Sequence, residues 1–128
     1  MAQTSPSCAT LTVSAEPRFA RLVRMTAANI ATLSSMSYDR VEDIRMAAEE
    51  AFIFACSVEP ETSVEFAFDV DDDQVTIDVN LGNVNLDELD LPEATYADLI
   101  LTAVCDTYTK SSEPTTLHLN LKADLNHA

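Results

Sequence analysis

Hydrophobic residues recur along this chain with two periods, which predict helices and strands. Residues 10–13 alternate between polar and apolar, which predicts a first strand after a disordered leader over residues 1–8. From Pro17 onward a three-to-four-residue spacing predicts a first helix with the apolar stripe Phe19, Leu22, Val23, Ile30 and Leu33. Asp39 and Glu42 resemble a capping box and predict a second helix that ends near Ser57. The stripe of this helix is Val41, Ile44, Ala48, Ala51 and Ala55.

The period then changes to two and predicts an antiparallel hairpin with a turn over residues 71–74. Its strands carry the apolar residues Val64, Phe66, Phe68 and Val70, then Val75, Ile77, Val79 and Leu81. A third helix is predicted from about Thr95 to Thr109, with Tyr96, Leu99, Ile100, Ala103 and Val104 as its apolar residues. A last strand carries Leu117, Leu119 and Leu121. Each element has one apolar side, which predicts an α+β fold: a two-layer α/β sandwich with three helices on one face of a mainly antiparallel sheet. It forms one domain over residues 9–123, followed by a tail over residues 124–128.

The acidity of the chain narrows the class of partner. Its 128 residues include 22 acidic and seven basic ones, for a net charge of −15. This charge repels a nucleic-acid backbone, so we expect no direct binding to DNA or RNA. It is compatible with a solvated surface or with a basic partner. No apolar run approaches the ~18 residues that span a bilayer, and the first residues lack a secretory signal, so we expect a cytoplasmic protein.

Candidate metal and catalytic groupings are sparse in the sequence. The three cysteines, Cys8, Cys56 and Cys105, are far apart and lack zinc-ligand spacing, so Cys56 and Cys105 are interpreted as small core residues. His118 and His127 have no cysteine or acidic grouping nearby in the sequence, and no metal site is predicted. Sequence spacing alone indicates no Ser-His-Asp arrangement.

One stretch of the chain resembles a known family. The run Tyr-Asp-Arg-Val-Glu-Asp-Ile-Arg over residues 38–45, followed by Ala-Glu-Glu-Ala over 48–51, is similar to the anti-sigma-factor serine kinases. Arg-Phe-Ala-Arg-Leu over residues 18–22 adds to the resemblance, which covers roughly residues 10–122. This family belongs to the histidine-kinase and Hsp90-like ATPase superfamily. The resemblance implies a histidine-kinase-like ATPase fold and a role in bacterial transcription control.

The same resemblance assigns roles to individual residues. Glu50 aligns with the glutamate that acts as general base, but Phe54 stands where the family has the asparagine that holds magnesium. Asn80 and Gly82 match parts of the D-x-G-x-G motif that binds adenine, whereas Val84 replaces its second glycine. We interpret Glu50 as a vestigial base, and Phe54 as filling the space of the metal and phosphates. Glu50 is expected either to be partly desolvated, which raises the pKa of a carboxyl group, or to be partly exposed or paired with Arg45 or Arg24.

The third motif of the family, a glycine-rich lid, corresponds to residues 95–99, which contain no glycine. Asp98 is expected near a helix start, where it would repel phosphate. Arg18, Arg21 and Arg24 form a basic edge on the first helix, which either binds an acidic partner or pairs internally. In the resembled family an arginine in the matching Phe-Ala-Arg stretch contacts partner proteins, and the resemblance implies this role for Arg21 alone.

Together these features predict a degenerate anti-sigma-factor-like regulator that acts by binding a partner protein, without kinase activity or a required cofactor. Whether it acts as a homodimer is left open. The implied partner is a sigma factor or an anti-anti-sigma-like protein. One alternative is an active ATP-dependent serine/threonine kinase that uses ATP and magnesium, with Glu49 or Asp43 as the magnesium ligand. Another is an accessory scaffold without a regulatory target.

Overall fold

The computed structural model describes residues 7–58, 62–85 and 92–125. Its strands are β1 (Ser7–Ser14), β2 (Ser63–Val70), β3 (Gln74–Gly82), β4 (Thr107–Ser111) and β5 (Thr115–Lys122). Its helices are α1 (Ala20–Ala31), α2 (Tyr38–Val58) and α3 (Pro92–Val104), and a short 3-10 helix (Pro17–Phe19) precedes α1. The fold is therefore α+β with three helices and an antiparallel sheet, as predicted, but the sheet has five strands where the hydrophobic pattern predicts four.

The sheet has the strand order β1-β2-β3-β5-β4, and every neighbouring pair is antiparallel. Side chains alternate across it, so one face is apolar and the other polar. The apolar face consists mainly of Val64, Phe66, Phe68, Val70, Val75, Ile77, Val79, Leu81, Leu117, Leu119 and Leu121, all of which are buried. The hairpin of β2 and β3 is confirmed with the predicted residues inward.

The helices cover the apolar face, with α2 in contact with both α1 and α3. Four alanines on α2, residues 47, 48, 51 and 55, are buried and let the helix approach its neighbours closely. Aromatic rings fill the space between α2 and the sheet: the Phe52 and Phe66 ring centroids are 6.2 Å apart, and those of Phe66 and Phe68 are 6.1 Å apart. The core therefore lies between one helical layer and one sheet.

The start of α2 differs from the prediction. Its cap is Ser37, whose Oγ accepts a hydrogen bond from the backbone N–H of Arg40 at 3.2 Å. Glu42 instead pairs with Arg45. The predicted capping box of Asp39 and Glu42 is therefore wrong, because the serine two residues earlier takes the capping position.

The third helix and the strand after it also differ from the prediction. Helix α3 ends at Val104, and residues 107–111, the first three of which were assigned to the helix, form edge strand β4. Tyr96 and Leu99 are 61% and 66% exposed, whereas Ala97 and Leu101 are buried. The predicted apolar side of α3 is therefore partly wrong, since a helix rich in apolar residues leaves the choice of buried side undetermined.

Both ends of the described chain are more ordered than predicted. Ser7 and Cys8 belong to β1, while the rest of the predicted leader, residues 1–6, lies outside the described residues. In the predicted tail, Asp124 accepts hydrogen bonds from the backbone and hydroxyl of Ser37 at 2.8 and 2.5 Å. These bonds lower the pKa of Asp124 and tie the end of β5 to the start of α2.

The cysteines differ in environment. Cys105 is buried, and desolvation raises the pKa of its thiol to about 12, so it behaves as a small core residue. Cys56 is partly buried and packs against the core, whereas Cys8 is exposed. Within residues 7–58, 62–85 and 92–125, no helix has the length and apolar character required to cross a membrane.

Candidate functional site

Helix α2 carries the pair of positions that would hold the base and the metal in the resembled family. Phe54 is only 4% exposed and belongs to the hydrophobic core. Glu50, one turn earlier, is partly buried, and its side chain has no hydrogen bond or ion pair among the described residues. Burial and the neighbouring charge of Glu49 raise the pKa of Glu50. The side of α2 that bears these residues combines an apolar ring with a partly desolvated carboxyl group, and it offers no oxygen ligand at position 54.

The neighbouring acidic residues of α2 are neutralised by arginines. Glu49 Oε2 lies 2.7 Å from Arg24 Nη1, and Asp43 Oδ2 lies 3.1 Å from Arg40 Nη1. Arg45 pairs with Glu42, so neither arginine expected to pair with Glu50 does so. The predicted pairing of Glu50 with an arginine is therefore wrong, because Glu49 takes Arg24 and Glu42 takes Arg45. The other two alternatives, partial desolvation and partial exposure, both agree with the intermediate burial of Glu50.

The segment that corresponds to the adenine-binding motif forms an irregular end of β3. The backbone N–H of Gly82 donates to Asn80 Oδ1 at 2.8 Å, and the pairing with β5 shifts between these two residues. Gly82 has φ +78, a left-handed conformation that glycine adopts readily. A Cβ at this position would meet no atom within 4 Å, so there is room for a side chain. The positive φ is therefore what favours glycine here.

Asn80 and Glu50 lie in different parts of the molecule. Asn80 alternates with the buried residues Val79 and Leu81, which places its side chain on the polar face of the sheet, away from the helices. Glu50 belongs to the helical layer on the other side. The structure therefore does not bring the two together, and the Oδ1 that would accept a hydrogen bond from adenine already accepts one from the backbone.

An open cleft of about 610 Å³ adjoins the end of β3. Its walls come from the residues after Asn80 and from the turn between β4 and β5: Gly82, Asn83, Val84, Asn85, Lys110, Ser111, Ser112, Glu113 and Thr115. Val84 is buried, and its carbonyl accepts a hydrogen bond from the buried Thr115 hydroxyl, which fixes this wall. The residue that replaces the second motif glycine thus supports the local packing.

The glycine-free segment around Asp98 lies inside a helix rather than at its start. Asp98 is seven residues into α3, where its carboxylate accepts hydrogen bonds from the Tyr108 hydroxyl at 2.7 Å and from Lys110 Nζ at 2.9 Å. Burial and this carboxylate raise the pKa of Tyr108. The predicted position near the helix start is wrong, and Asp98 instead joins α3 to β4.

The basic edge of the first helix is divided by internal pairing. Arg18 pairs with Glu16 at 3.1 Å and lies over the Phe19 ring, and Arg24 pairs with Glu49. Arg21 is exposed, and its guanidinium group has no hydrogen bond or ion pair among the described residues. The internal-pairing interpretation of this edge therefore holds for Arg18 and Arg24, whereas Arg21 remains an exposed cation.

Arg21 belongs to a helix surface with exposed apolar side chains. Besides Tyr38 at the start of α2, six such residues, two from each helix, have exposed fractions between 46% and 66%, and we call these six the outer helix face: Leu22, Met25, Met46, Ile53, Tyr96 and Leu99. Arg21 and Met25 are four residues apart and share one side of α1. The helical layer thus bears exposed apolar side chains together with the exposed cation Arg21.

The polar face of the sheet contains a grouping that the sequence did not predict. Ser111 Oγ lies 2.8 Å from His118 Nε2, and His118 Nδ1 lies 2.7 Å from Asp78 Oδ1. These residues come from β4, β5 and β3, which are neighbours in the sheet. Pairing of β3 with β5 in the register that sets Asp78 opposite His118 could have indicated part of this grouping. Ser111 could not be included, because strand β4 was not predicted.

Cofactor and metal sites find little support in the described residues. Within those ranges, no group of three or more His, Cys, Asp or Glu side chains is placed to hold a metal ion. The comparisons add no assignment: no protein-family model matches the chain, and no curated protein matches it.

Proposed function

We propose that this protein is a degenerate relative of the anti-sigma-factor serine kinases, with a histidine-kinase-like ATPase fold, that regulates bacterial transcription by binding a partner protein. The partner is a sigma factor or an anti-anti-sigma-like protein, and binding occludes its surface without phosphoryl transfer. The observation that carries the proposal is Phe54, a buried aromatic ring at the position where the resembled family requires a magnesium ligand.

The pairing of the other acidic residues on α2 argues against an active kinase. Glu49 and Asp43, the alternative magnesium ligands, each pair with an arginine. Magnesium binding would have to displace these cations and then satisfy near-octahedral oxygen coordination next to an apolar side chain. Glu50 remains as a carboxyl group with a raised pKa but without an adjacent metal ligand.

The outer helix face is the surface that we propose for the partner. Its six apolar side chains offer area whose burial stabilises a complex, at about 25 cal/mol per Å² before the costs of association. Arg21 adds a cation that has no internal partner among the described residues and would attract an acidic side chain in a protein that is otherwise strongly acidic. A partner with an amphipathic helix and an acidic border suits this surface.

Reversing the charge of Arg21 should weaken the complex with the partner. In calorimetric titrations of purified sigma factor or anti-anti-sigma protein from the same bacterium, we expect Arg21→Glu to lower the affinity at least about tenfold, since a cation at the interface becomes a repelling anion. Lys122→Glu is the control, because it reverses the charge of an exposed basic residue at the end of β5, in the sheet and away from the outer helix face.

The pair of variants separates a specific contact from a general charge effect. We expect Lys122→Glu to change the affinity by less than about twofold at physiological ionic strength, where exposed charges are screened. Equal loss in both variants, or no loss in Arg21→Glu, would argue against this surface. Failure of the wild-type protein to bind either partner would instead favour the accessory scaffold.

A further inference from the structure

We propose that Ser111, His118 and Asp78 form a nucleophilic site for acyl transfer from small neutral or cationic esters. Ser111 Oγ is 2.8 Å from His118 Nε2, within reach of a general base. Asp78 Oδ1 is 2.7 Å from the other ring nitrogen, Nδ1, and so favours the tautomer in which Nε2 accepts a proton. The three groups stand in the order nucleophile, base and orienting carboxylate that characterises hydrolytic triads.

The strand register holds this arrangement in place. Asp78 on β3 is directly opposite His118 on β5, and His118 is opposite Thr109 on β4. Ser111 lies two residues beyond Thr109 on the same face of β4, which makes it a diagonal neighbour of His118. Three adjacent antiparallel strands therefore set both contacts, which are located on a rigid element rather than on separate loops.

The cleft at the end of β3 provides space for a substrate next to the nucleophile. Ser111 lines this cleft of about 610 Å³, and Asn83 lines it from the β3 side. A side-chain amide such as that of Asn83 belongs to the class of donors that stabilise an oxyanion. Lys110 in the same wall is paired with Asp98, which neutralises its charge. The lining also contains the acidic residue Glu113. The negative character of this wall and of the whole protein favours neutral or cationic acyl compounds over anionic ones.

The chemistry requires only an ester and water. Ser111 Oγ forms a bond to the acyl carbon while its proton passes to His118 Nε2. The bond between the acyl carbon and the leaving oxygen breaks, and the alcohol leaves with the proton from His118. Water then attacks the acyl-serine, again giving a proton to His118, and the carboxylic acid leaves as Ser111 regains its proton.

This site is independent of the proposed partner surface. Ser111, His118 and Asp78 lie on the polar face of the sheet, whereas the outer helix face lies on the far side of the helical layer. The acyl-transfer site does not rest on the regulatory function, and either proposal can fail without the other. Asp78 acts as a positioning residue, since it reaches the nucleophile only through His118.

An alkyl fluorophosphonate tests the nucleophile directly, because it forms an Oγ–P bond with an activated serine as fluoride leaves. Whole-protein labelling followed by peptide mapping should place the modification on Ser111. We expect Ser111→Ala to abolish this modification and Ser57→Ala, at an exposed serine of α2 outside the cleft, to leave it unchanged. His118→Asn should slow labelling about 100-fold, and hydrolysis of p-nitrophenyl acetate should fall in parallel. Asp78→Asn should slow both less.

Thermal unfolding of each variant, monitored by circular dichroism, separates loss of chemistry from loss of fold. A merely structural role for the three residues would lower the melting temperature of the His118 and Asp78 variants without any serine-specific labelling in the wild-type protein. Absence of labelling at Ser111, equal labelling of Ser112, or an unchanged rate in folded His118→Asn would overturn the proposal. If His118→Asn does not fold, the comparison of Ser111→Ala with Ser57→Ala still decides it.

Discussion

Restoring the asparagine of the resembled family, Phe54→Asn, should destabilise the protein by about 4 kcal/mol and should not create a magnesium-ATP site. The substitution removes a ring that is 4% exposed and places an amide among apolar neighbours. Loss of the packed ring and burial of a polar group both oppose folding, and total stability is typically only about 5–15 kcal/mol. Urea unfolding of the variant and calorimetric titration with magnesium and ATP measure the two expected results.

Two substitutions serve as controls for Phe54→Asn. Phe54→Leu keeps the position apolar and should cost about 1 kcal/mol, so it isolates the effect of the amide. Ile53→Asn places the same amide at the adjacent residue, which is 47% exposed, and should change stability by less than about 0.5 kcal/mol. A Phe54→Asn protein that is as stable as the wild type and binds magnesium-ATP would contradict the interpretation of this position as part of the core.

Removing the guanidinium of Arg40 should destabilise the protein by about 3 kcal/mol. The Arg40 side chain is 15% exposed and joins the start of α2 to the ends of α3 and β5. It donates to the carbonyls of Lys122 and Val104 at 2.8 and 3.3 Å, and it pairs with the carboxylates of Asp43 and Asp106. Arg40→Met would leave these acceptors without their donor. A urea midpoint measured for wild type and variant tests this expectation.

Arg45→Met is the matched control for Arg40→Met. Arg45 is 44% exposed and pairs only with Glu42 on the same helix, a contact worth about 0.5 kcal/mol or less. The contrast should persist at high salt, because the Arg40 contacts are hydrogen bonds in a partly buried site rather than long-range attractions. Equal destabilisation in the two variants would show that the interior position of Arg40 contributes nothing beyond a surface ion pair.

The elements with a clear hydrophobic period could be predicted from the sequence. The hairpin of β2 and β3 alternates strictly between apolar and polar residues, and all of its predicted inward residues are buried. Strand β4 could not be predicted in this way, because only Tyr108 among its residues is even partly buried and the strand has no apolar face. Its pairing with β5 is a tertiary contact that leaves almost no trace in local periodicity.

The candidate sites were predictable to a smaller extent. The partial burial of Glu50 follows from its position on an amphipathic helix, but the pairing of Arg24 and Arg45 with other carboxylates depends on side-chain geometry. The same limit applies to His118 and Asp78, which are 40 residues apart and meet only through the register of β3 and β5. The resemblance motif itself contains Arg40 and Asp43, whose ion pair gives part of that motif a role in holding the fold together.

Binding of a partner without phosphoryl transfer can be tested in one experiment. Purified protein is mixed with the proposed partner, a sigma factor or anti-anti-sigma protein from the same organism, with and without magnesium and radiolabelled ATP. Each mixture is analysed by size-exclusion chromatography and autoradiography. We predict a complex that forms equally well without nucleotide and a partner that carries no radioactive phosphate. Phosphate on a partner serine, or a complex that forms only with magnesium-ATP, would contradict the proposed function.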